Sequence, residues 1–381
     1  MAQPDHPFRV LLLSAIGTRI NPYIGLLQDG LAAAGAEVRL TDRLGPGETD
    51  GDFQPDVIHL HWLDLYDLPR AVALTGLQGA TDLSRRALRR VLTTILNHPV
   101  VYGMRRWLRL RRLLSQLRTF QHRGGRVAYT VHNLIAHQGS GSADRWGTAA
   151  LIRMADVVHV HDASTAEALA TGFGRCAGVA VVPHGHYVNS YPNTIDRAGA
   201  RSRLELPQNA FVYVTLGLMR PYKGMEELLP AFRLLPDPDA RLVLAGQPGS
   251  PAYAQTLARQ AAGDLRILFV PHFVPLAEVQ FYLNAADVCV LPYRQITTSG
   301  AAILAFSFGL PVIAPALGAF ASLTAGGRGV LYDPTNPTGL NDALVQARQV
   351  DWDATRKQRM EWVAQFDWEG IGRQLLAAYM R

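Results

Sequence analysis

The sequence predicts an α/β protein made of two doubly wound, Rossmann-like domains. Three observations carry that reading. Short apolar runs alternate with helical stretches, as in a parallel sheet with crossover helices. The runs show little polar alternation, as expected of strands covered on both faces. The series also occurs twice, in a chain of 381 residues that is long enough for two cores.

The first series is FRVLLLSAI, EVRLTD, DVIHLHW, RVAYTVHN, DVVHVHD and VAVVPHG, assigned to a domain over residues 1–186. Residues 187–207 lack a strand period and read as a linker. The second series is FVYVTLG, ARLVLAG, RILFVPH, DVCVLPY, LPVIAP and GVLYD, within a domain over residues 208–365. Residues 366–381 read as a helix packing back on the first domain. Ligands of doubly wound sheets bind outside the carboxyl ends of the strands, so two such domains are expected to face a shared cleft. Eight of the twelve histidines fall at or within two residues of such ends.

Charge is unevenly placed. From Leu83 to Ala143 there are twelve arginines and no acid, in a chain whose formal net charge is only +6. The remainder is therefore acidic, and the basic helical insert, residues 83–125, implies a local anionic partner rather than nucleic acid wrapping the whole protein. Within it, Met104, Trp107, Leu108, Leu114 and Leu117 recur at helical spacing, with Arg105, Arg109 and Arg112 on another side. That is the pattern of a basic amphipathic helix that lies on anionic lipid. The run VLLLSAI is too short for a membrane span and follows no basic stretch, so it reads as a strand. Cys176 and Cys289 match no metal or redox spacing. The His-x-His pairs put two rings on one face of a strand, and no metal is expected of them. No acidic cluster suited to magnesium is visible either.

Two motifs carry chemistry. In TLGLMRPYKG a strand ends in a glycine turn that enters a helix. Gly217 permits a tight turn, and Lys223 stands at the helix start, where unpaired N–H groups already favour an anion. Only Lys223 and Lys357 are lysines among 37 basic residues. A compact ammonium on a long stem suits a diphosphate. In PYRQITTSGAAILAFSFGLPVIAP, Ser299 caps an apolar helix that Gly300 opens.

Together with ADVCVLPYR and DPTNPTGLNDAL, these motifs resemble the group 1 glycosyltransferases of GT-B architecture, over nearly the whole chain. The resemblance implies a C-terminal domain that holds a nucleotide-diphosphate sugar and an N-terminal domain that holds the acceptor. Donor contacts are then expected at Gly217, Arg220, Lys223, Gly246, His272, Tyr293, Arg294, Ser299 and Gly300. Acceptor contacts are expected at Gly17, His61, Trp62, His184 and His186. His132 falls where many relatives carry a histidine beside the transferred sugar; with Asp64 and Asp162 it is a candidate general base. No metal or other cofactor is implied beyond the sugar nucleotide itself. Leu218 stands where the family pattern has an arginine, and Ile296 and Leu304 stand where retaining members carry two glutamates. Those departures favour inversion. PYR…SG with PHGHY is similar to a branch that includes bacterial β-mannosyltransferases of exopolysaccharide pathways. This makes GDP-mannose the first expected donor, a UDP-sugar the next, and a lipid-linked or glycan acceptor at the inner face of the cytoplasmic membrane the expected setting. An epimerase or phosphorylase on the same fold, or a non-enzymatic binder of RNA or protein, are the alternatives.

Overall fold

The structure is a computed structural model that describes residues 6–16, 21–45, 52–63, 66, 98–134 and 141–381. Gly17, Asp64 and residues 83–97 of the basic insert lie outside the described residues. The chain divides into two compact units, residues 1–182 with 368–381, and residues 183–367.

In the first unit the order is β1 (Arg9–Ser14), α1 (Tyr23–Ala33), β2 (Glu37–Thr41), β3 (Val57–His61), α2 (Pro99–His122), β4 (Arg126–Thr130), α3 (Ser142–Met154), β5 (Val157–Val160), α4 (Ala163–Phe173) and β6 (Val179–Val181). The strands are parallel, in the order β2-β1-β3-β4-β5-β6. The chain leaves β1 for β2 on one side and then crosses to β3 on the other. The reversal therefore lies between β1 and β3, whose last paired residues are Ser14 and His61. Such a switch point opens a crevice at the strand ends.

The second unit repeats the logic with α5 (Arg197–Arg203), β7 (Phe211–Leu216), α6 (Met225–Arg233), β8 (Ala240–Ala245), α7 (Pro251–Ala261), β9 (Ile267–Val270), α8 (Val279–Ala285), β10 (Val288–Val290), α9 (Gly300–Ser307), β11 (Val312–Pro315), α10 (Phe320–Thr324), β12 (Gly329–Tyr332), α11 (Gly339–Arg348) and α12 (Arg356–Ala364). Its order is β12-β11-β10-β7-β8-β9, so the switch point falls between β7 and β10. The two sequence motifs are the loops after those two strands.

The last helix, α13 (Trp368–Met380), belongs to the first unit and lies on α1. Two glycines permit the contact. A Cβ on Gly372 would stand 2.2 Å from the Gly30 carbonyl oxygen, and one on Gly30 would stand 2.2 Å from that of Trp368. Arg126 secures the far end by donating to the Tyr379 carbonyl at 2.6 Å.

Two sequence expectations are corrected here. The stretch read as a linker contains α5 and is held in the second unit. Buried Arg201 donates to the Ala285 carbonyl at 3.0 Å and to Asp287 at 2.8 Å. A helix of seven residues is too short to show a period. On α2, Leu114 and Leu117 do not share the solvent-facing apolar band. They enter the core with Leu110, Leu113 and Phe120, while Met104, Trp107 and Leu108 stay exposed. At 3.6 residues per turn the apolar positions span more of the circumference than the core covers. Arg106, on the core side, is buried and bonded to Asp144 at 2.7 Å and to the Leu63 carbonyl at 2.6 Å.

Candidate functional site

In the second unit, backbone meets backbone at the strand ends. Gly217 has φ +122° and Gly246 φ +146°, and a Cβ on Gly246 would lie 1.7 Å from the Gly217 oxygen. Only glycine fits there. The chain then makes a 3-10 turn over Pro221–Lys223 and passes through Gly224 at φ +70°, against the Pro292 carbonyl. Arg294 N–H donates to the Tyr222 carbonyl at 2.7 Å, which joins the loops on either side of the switch point.

Lys223 projects into this junction, with Nζ 5.3 Å from the centre of the Tyr293 ring. Burial, and next the nearby Arg220 guanidinium, push its pKa down to about 8. Neither Lys223 nor Arg220 forms an ion pair among the described residues. A partly buried ammonium next to a second cation is an unfavourable arrangement that an anion relieves. Across the junction Ser299 caps α9, accepting from the Ala302 N–H at 3.1 Å. His184 and Tyr187 line the start of that helix; a Cβ on Gly300 would sit 3.1 Å from His184 Nε2.

Several expected roles change. His184, expected on the acceptor side, belongs to the second unit, and so does His186. Burial lowers the pKa of His184 to about 4, and its Nδ1–H donates to the Gly185 carbonyl at 2.8 Å. Burial also lowers that of His186. Arg294 spends its charge on Glu227, at 2.5 Å, and Glu226, at 3.3 Å. His272 is exposed at the end of β9. The sequence did not disclose Tyr187 as a lining residue; its backbone N–H donates to Ser307 Oγ at 2.9 Å, a contact far apart in sequence.

The first unit gathers five histidines at its strand ends. Their hydrogen bonds can be read in order from a backbone carbonyl, which only accepts. His159 Nε2–H donates to the Val182 oxygen at 2.9 Å. His159 Nδ1 must then accept from the Thr130 hydroxyl at 2.9 Å. Thr130 Oγ1 in turn accepts from His59 Nε2–H at 2.7 Å. His59 Nδ1 is left to accept from the Tyr379 hydroxyl at 2.6 Å. Every step requires a neutral imidazole, and burial does lower the pKa of His59 well below the usual range, helped by His159. Neither Thr130 nor Tyr379 was visible as part of this network in the sequence, since no local pattern links a strand residue to a helix 249 positions later.

His61, expected as an acceptor contact, lies beside this chain and is buried. Its Nδ1 is 3.1 Å from Nε2 of His132. His132 stays partly exposed and is stacked on Trp62, with ring centres 4.1 Å apart at 8°. Trp62 has φ +48°, a strained backbone for a bulky residue and a known mark of functional sites. Asp162 is not placed as a base. It caps α4, accepting from Thr165 N–H at 2.9 Å, Thr165 Oγ1 at 2.8 Å and Ser164 Oγ at 2.5 Å. Among the described residues no group of three or more His, Cys, Asp or Glu is arranged to hold a metal ion.

Comparison with known proteins finds similarity to glycosyltransferases. The family model described as glycosyl transferases group 1 matches residues 210–349. A GDP-mannose:glycolipid 4-beta-D-mannosyltransferase of Xanthomonas campestris pv. campestris is 28% identical over 260 residues, 68% of this chain and 61% of that protein. A D-inositol 3-phosphate glycosyltransferase of Corynebacterium glutamicum (strain R) is 31% identical over 241 residues, 59% of this chain and 54% of that protein. The chain thus spans little more than half the length of these curated relatives. Among solved structures, sucrose-phosphate synthase from Thermosynechococcus elongatus aligns with TM-score 0.66 at 20% identity, covering 98% of both chains. HepE of Anabaena, solved with UDP-glucose, aligns with TM-score 0.67 at 16% identity, covering 98% of this chain and 100% of that one. The chain therefore has the GT-B fold, and its residues 210–349 match the family model of the group 1 glycosyl transferases.

Proposed function

We propose that this protein is a glycosyltransferase that moves a hexosyl unit from a nucleotide-diphosphate sugar to a lipid-linked or glycan acceptor. The observation that carries this reading is Lys223, an ammonium desolvated beside Arg220 at the switch point of the second unit, without an ion-pair partner among the described residues. An acceptor hydroxyl oxygen bonds to the anomeric carbon as the bond to the β-phosphate oxygen breaks. The diphosphate leaves with the electron pair, and the hydroxyl proton passes to a base. Lys223, Arg220 and the start of α9 stabilise the charge that develops on the leaving group. In this reading they do the work of a divalent cation, and none is required. His132 is the residue of the first unit that we assign to the reaction.

GDP-mannose is the donor we favour, because the Xanthomonas relative is named for it. Inversion is the outcome we favour, because Ile296 and Leu304 offer no carboxylate. A thermal-shift panel of GDP-, UDP-, ADP- and dTDP-sugars tests both the class and the base. A donor at one hundred times its Kd stabilises by about 2.7 kcal/mol. GDP-mannose is expected to give the largest shift. A panel with no shift from any member refutes the transferase reading.

A second observation supports a membrane setting for the acceptor. Met104 is 57% and Leu108 52% exposed, and they share a surface with Trp107 and Trp146, whose rings lie 5.9 Å apart. Arg111 lies over Trp107 at 5.2 Å, and exposed Arg112 and Arg145 flank the patch. Exposed apolar side chains among arginines match an anionic lipid surface. Among the described residues no helix is long and apolar enough to cross a membrane.

A further inference from the structure

The contact between His61 and His132 holds one proton, and its direction decides what His132 can do. His61 is enclosed by His59, His132, His159, His161 and Tyr23, with no carboxylate among them. Burial, and then those histidines, hold it neutral. A neutral ring carries one N–H. If that hydrogen were on Nε2, a buried donor would have no acceptor among the described residues, since His61 Nε2 has no hydrogen-bond partner there. The acceptors nearby are already used: the Val182 oxygen takes His159 and His161, and Thr130 Oγ1 takes His59. Orphaned buried N–H groups are rarer than under-used acceptors. The proton therefore belongs on His61 Nδ1, directed at His132 Nε2.

We propose that His61 is a positioning residue: its Nδ1–H occupies Nε2 of His132 and fixes the Nδ1–H tautomer, so that His132 meets the substrate as a hydrogen-bond donor and not as a general base. Trp62 completes the clamp, stacked on the His132 ring from the next position in the chain. The catalytic consequence rests on the transferase reading above, whereas the tautomer does not. A donor at this position orients or polarises a sugar oxygen and takes no proton from the acceptor hydroxyl.

The test is a two-bond proton–nitrogen correlation spectrum of the full-length protein, uniformly labelled with nitrogen-15, at pH 7.5, with His132 identified by loss of its signals in His132→Gln. The expected spectrum shows His132 protonated on Nδ1 and bare on Nε2. His61→Phe removes the donor and keeps a ring, so it should release His132 into a mixture of tautomers. With GDP-mannose as donor it should lower kcat about tenfold and leave KM for the donor within about twofold. His61→Asn places an amide N–H near the lost Nδ1 and should restore the tautomer and most of kcat. If His61→Phe does not fold, the wild-type and Asn spectra still decide. A wild-type His132 protonated on Nε2 overturns the proposal, as does a tautomer unmoved by His61→Phe. The expected tautomer without transfer from any sugar nucleotide would overturn the transferase reading and leave His61 in its role.

Discussion

Acid should destabilise the first unit well before its carboxylates titrate. His59 and His61 are buried, and their pKa values lie well below the ordinary 6.5, through burial first and neighbouring histidines second. The native state therefore binds no proton at either ring near neutrality, whereas the unfolded chain takes one at each as pH falls through about 6.5. A depressed histidine pKa contributes stability that is complete above the unfolded value and is lost as pH falls towards the folded one. Each group costs about 1.4 kcal/mol between pH 7.5 and 5.5, so the pair costs about 2.7 kcal/mol. With urea m-values of about 1–3 kcal/mol per molar, the unfolding midpoint should drop by about 1–2.7 M. Tryptophan fluorescence at the two pH values, in the same buffer ionic strength, reads it. His59→Asn with His61→Asn should be less stable at pH 7.5 and should lose about 2.7 kcal/mol less than the wild type over the same interval. A wild-type midpoint that does not move between pH 7.5 and 5.5 would refute the hydrogen-bond order deduced from Val182. His184, held down to about 4, adds a similar acid loss of about 1.4 kcal/mol in the second unit over that interval.

Lys223→Ala should weaken donor binding by about 1.5–3 kcal/mol with the unfolding midpoint little changed, checked by calorimetry with GDP-mannose. Because the Lys223 amine titrates at about 8, donor Kd should be flat below that pH and rise up to about tenfold per unit above it; a Kd constant from pH 7 to 9.5 would argue against the diphosphate contact. Transfer should continue unchanged in excess EDTA, and a dependence on added Mg²⁺ would mean that Lys223 and Arg220 do not suffice. Arg111→Glu with Arg112→Glu should cut sedimentation with anionic vesicles by at least about thirtyfold, from about 1 kcal/mol for each basic residue removed, and leave thermal stability intact.

The fold was legible because its signals are local. A buried parallel strand such as Val57–His61 declares itself by an unbroken apolar or aromatic run, and the reversal between β7 and β10 places RPYKG and PYR…SG together by topology alone. The donor loops were legible for a similar reason, since the glycines at positive φ and the capping serine act within a few residues. Roles that depend on partners far away were not. Arg294 looked like a free cation beside the motif until Glu226 and Glu227, 68 and 67 positions away, claimed it. Asp162 looked like a base at a strand end, yet the same position begins a helix, and the cap uses the carboxylate first. On α2, the periodicity identified an apolar band but not which part the sheet would cover, because the width of the core is set by neighbours and not by the helix.

The His-x-His pairs show how far spacing reaches. Alternation along a strand places His59 with His61 and His159 with His161 on common faces, which is also what a zinc site would need. Spacing cannot count lone pairs. In the folded protein His159 gives its Nε2 proton to Val182 and its Nδ1 lone pair to Thr130, while His59 gives its Nε2 proton to Thr130 and its Nδ1 lone pair to Tyr379. Neither ring has a nitrogen to offer a metal without breaking two buried hydrogen bonds, at roughly 1–3 kcal/mol for each group left unpaired. The same saturation keeps these rings from passing a proton, because a second N–H on either would face another donor. The partly exposed ring at the edge of the cluster is His132, held by His61 on one side and Trp62 on its face. His59, His61 and His159 therefore act as a neutral frame, and their value to the site lies in fixing where His132 points its hydrogen.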